Sequence, residues 1–133
     1  MREFSWPARV YWEDTDGGGI VYYANYLRFL ERSRTEWLRS LGFSQQALAR
    51  EPGVLFAVVN VSVQYRRPAR LDDELIVTCA PRADGSVCIS FAQRILRAAD
   101  AESLVSAEVK VACVDARTFR PTKLPEPLRA ALQ

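Results

Sequence analysis

The sequence contains no histidine. Histidine is the usual base that activates a serine or cysteine nucleophile, and it is also the commonest metal ligand in proteins. This absence excludes Ser-His-Asp and Cys-His mechanisms built from the chain's own residues. Cys79, Cys88 and Cys113 lack CxxC spacing, so they predict no metal site. They are expected to be free thiols in a reducing cytosol, where they behave as small core hydrophobes.

Long apolar runs and dense basic runs are also missing. No stretch of about 18 apolar residues occurs and the N-terminal residues have no signal-peptide pattern, so we expect a cytoplasmic protein without membrane insertion. The formal net charge is +2, and the densest basic group is Arg66, Arg67 and Arg70. Because a nucleic-acid footprint is more concentrated than this, we expect no nucleic-acid partner. At 133 residues with 49% hydrophobic content, the sequence predicts one domain over residues 1–133.

The hydrophobic periodicity predicts an α+β fold. One long amphipathic helix over residues 24–41 ends before Gly42, and Ser44 is the expected N-cap of a second helix over residues 45–50. An antiparallel sheet of about five strands must cover the apolar stripe of the long helix, and its edges favour pairing between protomers. Strands are predicted at residues 9–13, then as a four-strand meander at 54–67, 74–80, 87–97 and 104–114, with a two-residue hairpin turn at Asp84-Gly85 and a last helical turn at 128–132.

Residues 13–26, EDTDGGGIVYYANY, combine three acids, three glycines and an apolar run just before the long helix. A calcium loop is excluded because Asn25 stands where the twelfth-position glutamate belongs. A phosphate loop is excluded because the glycines lead to Ile20 and Val21 rather than to Lys and Ser or Thr. A solvated acidic turn explains the acids and glycines but leaves the apolar run after them unexplained.

The same stretch has the parts of a site for acyl chemistry. Glycines let backbone N–H groups approach a ligand closely, and a helix that begins near Tyr23 or Ala24 has free N–H groups at its positive end. Such donors hold a carbonyl oxygen as it becomes an oxyanion. An aspartate is already ionised at neutral pH, so it attacks a carbonyl or activates a water molecule without help from histidine.

Residues 11–26, YWEDTDGGGIVYYANY, resemble the signature of the hot-dog-fold acyl-CoA thioesterases of the 4-hydroxybenzoyl-CoA thioesterase and YbgC group. LRFLERSRTEWLRSLGFS in the long helix and the later VSVQYRRPARLDDEL are also similar to that family, most of all to its YbgC branch, which is associated with the Tol-Pal system. The resemblance implies a hot-dog fold, in which an antiparallel sheet wraps one central helix. It also implies an acyl-CoA or acyl-carrier-protein thioester substrate, no cofactor, and a homo-oligomer that is a dimer or a tetramer of hot-dog dimers.

Carried over residue by residue, the resemblance makes Asp16 the nucleophile or general base and Gly19 the glycine of the Asp-x-x-Gly element. The Tyr23 backbone N–H polarises the thioester carbonyl, and Asp14 is structural. YbgC-like members often have histidine where this chain has Tyr23. The remaining candidates are Ile20, Val21 and Glu31, which with Gly19 are expected to bind the substrate, and Arg66, Arg67 and Arg70, which are expected to contact the CoA phosphates.

Two other functions remain open from the sequence. One is a hot-dog dehydratase or hydratase, although the fatty-acid dehydratases of this fold use histidine. The other is a non-catalytic acyl-carrier or partner-binding module of the Tol-Pal cell-envelope system. The sequence also leaves open the acyl chain length and the choice between attack and base catalysis by Asp16.

Overall fold

A computed structural model describes residues 3–133 of the chain. Five strands and three α-helices form one α+β unit, with two short 3₁₀ turns before the long helix. The strands are β1 (Phe4–Arg9), β2 (Val54–Tyr65), β3 (Glu74–Asp84), β4 (Cys88–Arg97) and β5 (Ser103–Asp115); the helices are α1 (Tyr26–Ser40), α2 (Gln45–Arg50) and α3 (Glu126–Ala131); the 3₁₀ turns are Trp12–Asp14 and Tyr23–Asn25.

The five strands form one antiparallel sheet in the order β1-β3-β4-β5-β2. Helix α1 packs on β1, β3 and β4. The predicted five-strand sheet with one long helix is therefore confirmed. The predicted four-strand meander is wrong, because β2 pairs with β5 and only β3, β4 and β5 follow one another in space. Alternation of apolar residues identifies a strand but not its neighbour, which depends here on where the connection over residues 66–73 leads.

Two local predictions at the strand ends are corrected. The first strand covers Phe4–Arg9 rather than residues 9–13, and Pro7 lies inside it. Proline is tolerated there because β1 is an edge strand that pairs only with β3. The β3–β4 hairpin has a three-residue loop after Asp84 rather than a two-residue turn, since Asp84 pairs with Cys88. Gly85 has a φ of 75°, which suits a loop of this kind.

Helix α1 buries a stripe that runs along its whole length and ends near Gly42, whose φ is 90°. Helix α2 has the predicted bounds and its predicted cap, with the Ser44 hydroxyl accepting from Ala47 N at 3.1 Å. The buried residues of α1 are Tyr26, Phe29, Leu30, Ser33, Trp37 and Leu38.

Polar side chains also fix α1 to the sheet. The Ser33 hydroxyl donates to the Val77 carbonyl at 2.9 Å. The Gln93 amide, which is buried, donates to the carbonyls of Leu30 and Thr78, both at 3.1 Å. Because these bonds are directional, they set the rotation and height of α1 more strictly than apolar packing alone. The start of α1 is thereby held at one end of the sheet.

Candidate active site

The glycine-rich stretch forms a tight loop between two paired residues. Thr15 and Val21 form an antiparallel bridge, and inside it Asp16 N donates to Ile20 O at 3.0 Å. Gly19 has a φ of 78°, a backbone conformation that side chains other than glycine rarely adopt. The predicted need for glycine is thus explained at Gly19 by backbone conformation.

The Asp16 carboxylate lies at the exposed end of this loop. Its Oδ1 accepts a hydrogen bond from Gly18 N at 2.8 Å, which orients the side chain toward its own loop. A Cβ added at Gly18 would lie 3.3 Å from the same oxygen, so a side chain there would press on the carboxylate. The bare backbone of the glycines therefore leaves the space around Asp16 open to another molecule.

Asp14 has a different environment from Asp16, because it is buried and fully hydrogen-bonded. Its Oδ1 accepts from the Asn25 side-chain amide at 2.7 Å and its Oδ2 accepts from Tyr11 N at 2.8 Å. Its backbone carbonyl also accepts from Tyr22 N at 3.0 Å. These bonds tie the loop that carries Asp16 to the start of the helix. They also explain why residues 12–14 form a 3₁₀ turn instead of the predicted strand end.

The helix begins with a 3₁₀ turn over Tyr23–Asn25, and α1 itself starts at Tyr26, two residues later than predicted. Within residues 3–133, no acceptor is found for the backbone N–H groups of Tyr23 and Ala24. Free N–H groups are expected at a helix start, where they carry partial positive charge. The Tyr65 hydroxyl donates to the Tyr23 carbonyl at 3.2 Å, and no feature of the sequence indicates this bond.

The connection between β2 and β3 lies beside the glycine loop. Ile20 forms a bridge with Arg70, Val21 N donates to Ala69 O at 2.9 Å, and Leu71 N donates to Gly19 O at 3.2 Å. The Tyr26 hydroxyl accepts from Ala69 N at 3.0 Å, and burial raises the pKa of this phenol. The loop, the helix start and this connection together form one surface.

The predicted arginines are not equivalent. Arg70 is exposed and sits on the segment paired with the glycine loop. Arg67 forms an ion pair with Glu102 at 3.1 Å, and the Arg66 guanidinium donates to Gln64 and Ser106 at 3.0 and 3.2 Å.

Glu31 lies apart from the loop, about two helical turns beyond Tyr23, or roughly 12 Å along the helix axis. It accepts from the Thr35 hydroxyl at 3.0 Å. Both residues line a cavity of about 150 Å³ between α1 and the sheet. The lining combines polar and apolar side chains: Glu31, Arg34, Thr35, Trp37, Leu38, Gln45, Phe56, Val58, Ile89, Phe91 and Val111.

Arg34 is a member of this cavity that the sequence did not single out. Burial lowers the pKa of its guanidinium, although the Glu31 carboxylate opposes that shift. The guanidinium donates to the Gln93 side chain at 3.0 Å and lies 5.9 Å from the centre of the Phe91 ring. The position of this basic residue next to the buried stripe of α1 is the one sequence feature that could have indicated its role. Its partners Gln93 and Phe91 lie on β4 and are distant in sequence.

Comparison with known proteins identifies the family of the chain. The sequence model of the thioesterase-like superfamily matches residues 10–132. The chain belongs to this superfamily. It is 45% identical over 128 residues to the acyl-CoA thioesterase YbgC of Haemophilus influenzae, covering 96% of this chain and 93% of that protein. It is 47% identical over 127 residues to the acyl-CoA thioester hydrolase YbgC of Escherichia coli O6:H1, with 96% and 93% coverage.

A solved thioesterase structure has the same fold as this chain. The crystal structure of a 1,4-dihydroxy-2-naphthoyl-CoA thioesterase from Synechocystis superposes with a TM-score of 0.91 and 25% identity, over 98% of this chain and 96% of that one. The predicted hot-dog fold and the resemblance to the YbgC group are thereby confirmed.

Two of the three cysteines of this thioesterase-superfamily chain, Cys79 and Cys113, are poorly suited to nucleophilic attack. Burial raises the pKa of Cys79 to about 12 and that of Cys113 to about 11, so both thiols stay protonated near neutral pH. Across residues 3–133, no His, Cys, Asp or Glu residues form a group of three or more that could bind a metal ion. Over the same range, the helices are too short or too polar to cross a membrane.

Proposed function

We propose that the chain hydrolyses acyl-CoA thioesters with Asp16 as the reactive carboxylate. The observation that carries the proposal is the tie between the Asp16 loop and the helix start. The Thr15–Val21 bridge and the Asp14–Asn25 bond join an exposed carboxylate to two unoccupied N–H groups. Superfamily membership and the YbgC relatives, which are named acyl-CoA thioesterases, support thioester hydrolysis as the reaction.

In the first of two routes, Asp16 acts as a general base. It accepts a proton from water while the water oxygen attacks the thioester carbon, and the carbonyl electrons move onto the carbonyl oxygen. The Tyr23 N–H then stabilises the oxyanion. When this intermediate collapses, the C–S bond breaks and the CoA thiolate takes the proton from Asp16, leaving the free acid and CoA.

In the second route, Asp16 acts as a nucleophile. One carboxylate oxygen attacks the thioester carbon, the C–S bond breaks, and CoA leaves as a thiolate that solvent protonates. The enzyme is left with a mixed anhydride between Asp16 and the acyl group. Water then hydrolyses the anhydride, which restores the Asp16 carboxylate and releases the acid. The Tyr23 N–H serves the oxyanion in this route as well.

Arg70 is the best-supported contact for the phosphates of CoA. It is exposed, and within residues 3–133 its guanidinium forms no ion pair, so it is free to reach away from the glycine loop toward phosphates at the far end of the pantetheine arm. Arg66 and Arg67 follow at the end of β2, but Arg67 is already paired with Glu102. Arginine suits phosphate oxygens because its guanidinium donates in a fork. An acyl-carrier protein presents its acyl group on the same phosphopantetheine arm, so it is the alternative source of the thioester.

A second copy of the chain completes the acyl site in this proposal. Val58, Val59 and Val61 of the edge strand β2 are 50%, 57% and 39% exposed, and Val58 also lines the cavity near Glu31. A long, apolar, unpaired edge strand favours pairing with its own copy, and a two-fold dimer covers both edges at once. Ile20 at one copy's loop, which is 37% exposed, and Glu31 in the other copy's cavity would then border one acyl group, whereas Val21 is buried in the core.

The proposal is tested with Asp16→Asn against a panel of aromatic acyl-CoAs and of short, medium and long straight-chain saturated acyl-CoAs. We expect the parent to hydrolyse at least one of them and the variant to lose about a hundredfold or more in kcat. Glu13→Gln is the matched control, because this neighbouring exposed acid is expected to have no catalytic part. No hydrolysis of any substrate by the parent would refute the proposal and favour the non-catalytic binding module.

The two routes are separated by a single turnover in oxygen-18 water. Label that appears in Asp16 indicates attack by the carboxylate. Label found only in the released acid favours the general-base route.

A further inference from the structure

Tyr65, the last residue of β2, contacts the turn that begins the helix. Its hydroxyl donates to the Tyr23 carbonyl at 3.2 Å. Its ring is held in place by neighbouring aromatic rings, edge-on to Tyr23 at 6.1 Å and tilted against Tyr26 at 5.6 Å. The ring is 47% exposed, so its hydroxyl is held by these contacts and not by burial. A defined ring position makes this single hydrogen bond directional.

The carbonyl that Tyr65 binds belongs to the same peptide group as the Ala24 N–H. A hydrogen bond to a peptide oxygen polarises the whole group and makes its N–H a stronger donor. It also fixes the plane of the peptide, and with it the direction in which the N–H points. The Ala24 N–H has no acceptor among residues 3–133, so this strengthened donor is free beside the Tyr23 N–H.

We propose that the Ala24 N–H is a second donor to the thioester oxygen, and that Tyr65 is the positioning residue that orients and polarises it. This inference rests on the proposed function, since it concerns the same carbonyl that the Tyr23 N–H polarises. Two donors match the two lone pairs of the thioester carbonyl oxygen, and both hydrogen bonds gain strength as negative charge develops on that oxygen. Tyr65 contributes through the peptide group and does not touch the substrate oxygen itself.

The test compares Tyr65→Phe with Tyr22→Phe. Both changes remove one phenolic oxygen from the same group of rings, and the Tyr22 hydroxyl has no hydrogen-bond partner within residues 3–133. With the acyl-CoA that the parent hydrolyses fastest, we expect Tyr65→Phe to lower kcat about tenfold with little change in KM, because the bond matters most in the transition state. Tyr22→Phe should keep the parent's kcat.

A spectroscopic measurement separates polarisation from a merely structural role. The probe is the dethia analogue of the same acyl-CoA, a ketone in which CH₂ replaces the sulfur, with carbon-13 at the carbonyl. Two donors should shift its infrared carbonyl stretch to lower frequency on the parent and on Tyr22→Phe, and by less on Tyr65→Phe.

Equal kcat and equal carbonyl stretch in the two variants would overturn the inference. If Asp16→Asn were inactive at the same time, the proposed function would stand and only the role of Tyr65 would fail. A parent that hydrolysed no acyl-CoA would overturn both.

Discussion

Removing the buried Asp14 carboxylate should destabilise the fold at the start of α1. Asp14→Ala deletes two acceptors, one for Asn25 Nδ2 at 2.7 Å and one for Tyr11 N at 2.8 Å. Hydrogen bonds to a charged group contribute about 1.5–3 kcal/mol each, so the two bonds together bring roughly 3–6 kcal/mol. Relief of the cost of burying the carboxylate offsets part of that sum. We therefore expect Asp14→Ala to lower the free energy of unfolding by about 3 kcal/mol.

A double-mutant cycle isolates the Asp14–Asn25 bond. Asn25→Ala should cost about 2 kcal/mol, because it leaves a buried carboxylate with one donor fewer. Once Asp14 is absent, the same change should cost only about 0.5 kcal/mol, which gives a coupling energy of about 1.5 kcal/mol. Glu13→Ala is the control, since exposed residues outside such networks usually change stability by less than about 0.5 kcal/mol.

The assay is urea denaturation followed by tryptophan fluorescence, with every variant at one protein concentration because assembly shifts apparent stability. A loss below about 1 kcal/mol for Asp14→Ala, or a cycle that is additive within about 0.5 kcal/mol, would refute the reasoning. It would mean that the loop and the helix start are held together by apolar packing rather than by this carboxylate.

Two further predictions concern the substrate and the assembly. Arg70→Gln should raise KM for acyl-CoA about fivefold at similar kcat, because it removes an exposed phosphate contact. It should leave KM unchanged for an N-acetylcysteamine thioester, which has no phosphate. Arg120→Gln is the control, and an equal rise in KM with both substrates would count against a phosphate contact. In sedimentation velocity the parent should exceed the 15.0 kDa of one chain, and Val59→Glu should return it toward that mass because a charge enters the β2 edge. Phe119→Glu, at an exposed loop position, should not change the sedimenting mass, and a parent that sediments as a single chain would contradict the dimer.

Much of the fold follows from local sequence pattern. The apolar stripe of α1, the Ser44 cap and the approximate positions of β2 to β5 depend on residues near one another in the chain. The order of the strands does not, because the pattern in β2 is equally consistent with pairing to β3 or to β5. The bounds of the first strand are hard to predict for a related reason, since proline is disfavoured in a strand unless the strand lies at a sheet edge, as β1 with Pro7 does.

The residues of the candidate site also divide into those that a local motif identifies and those that depend on contacts distant in sequence. Asp16, Gly19 and Tyr23 belong to one short motif, so the sequence contains enough information to group them. Arg34 and Tyr65 were not singled out, because their partners Gln93 and Tyr23 are 59 and 42 residues away in the chain. Residues that position a site through contacts distant in sequence belong to no local motif, whereas the reacting residues often belong to a single short motif.

The strand order, which the sequence does not predict, brings the residues of the candidate site together. Since β2 lies beyond β5, the chain must cross the ends of β5 and β4 before it can begin β3. That crossing bonds to Leu104 O through the N–H groups of Arg66 and Arg67, and it ends beside the glycine loop at Arg70. With β2 next to β3, a short hairpin would replace the crossing, and neither Arg70 nor the Tyr65 hydroxyl would reach the helix start. In the proposed mechanism the non-adjacent strand order therefore matters for function, because it brings Arg70 and the Tyr65 hydroxyl to the same end of α1 as Asp16.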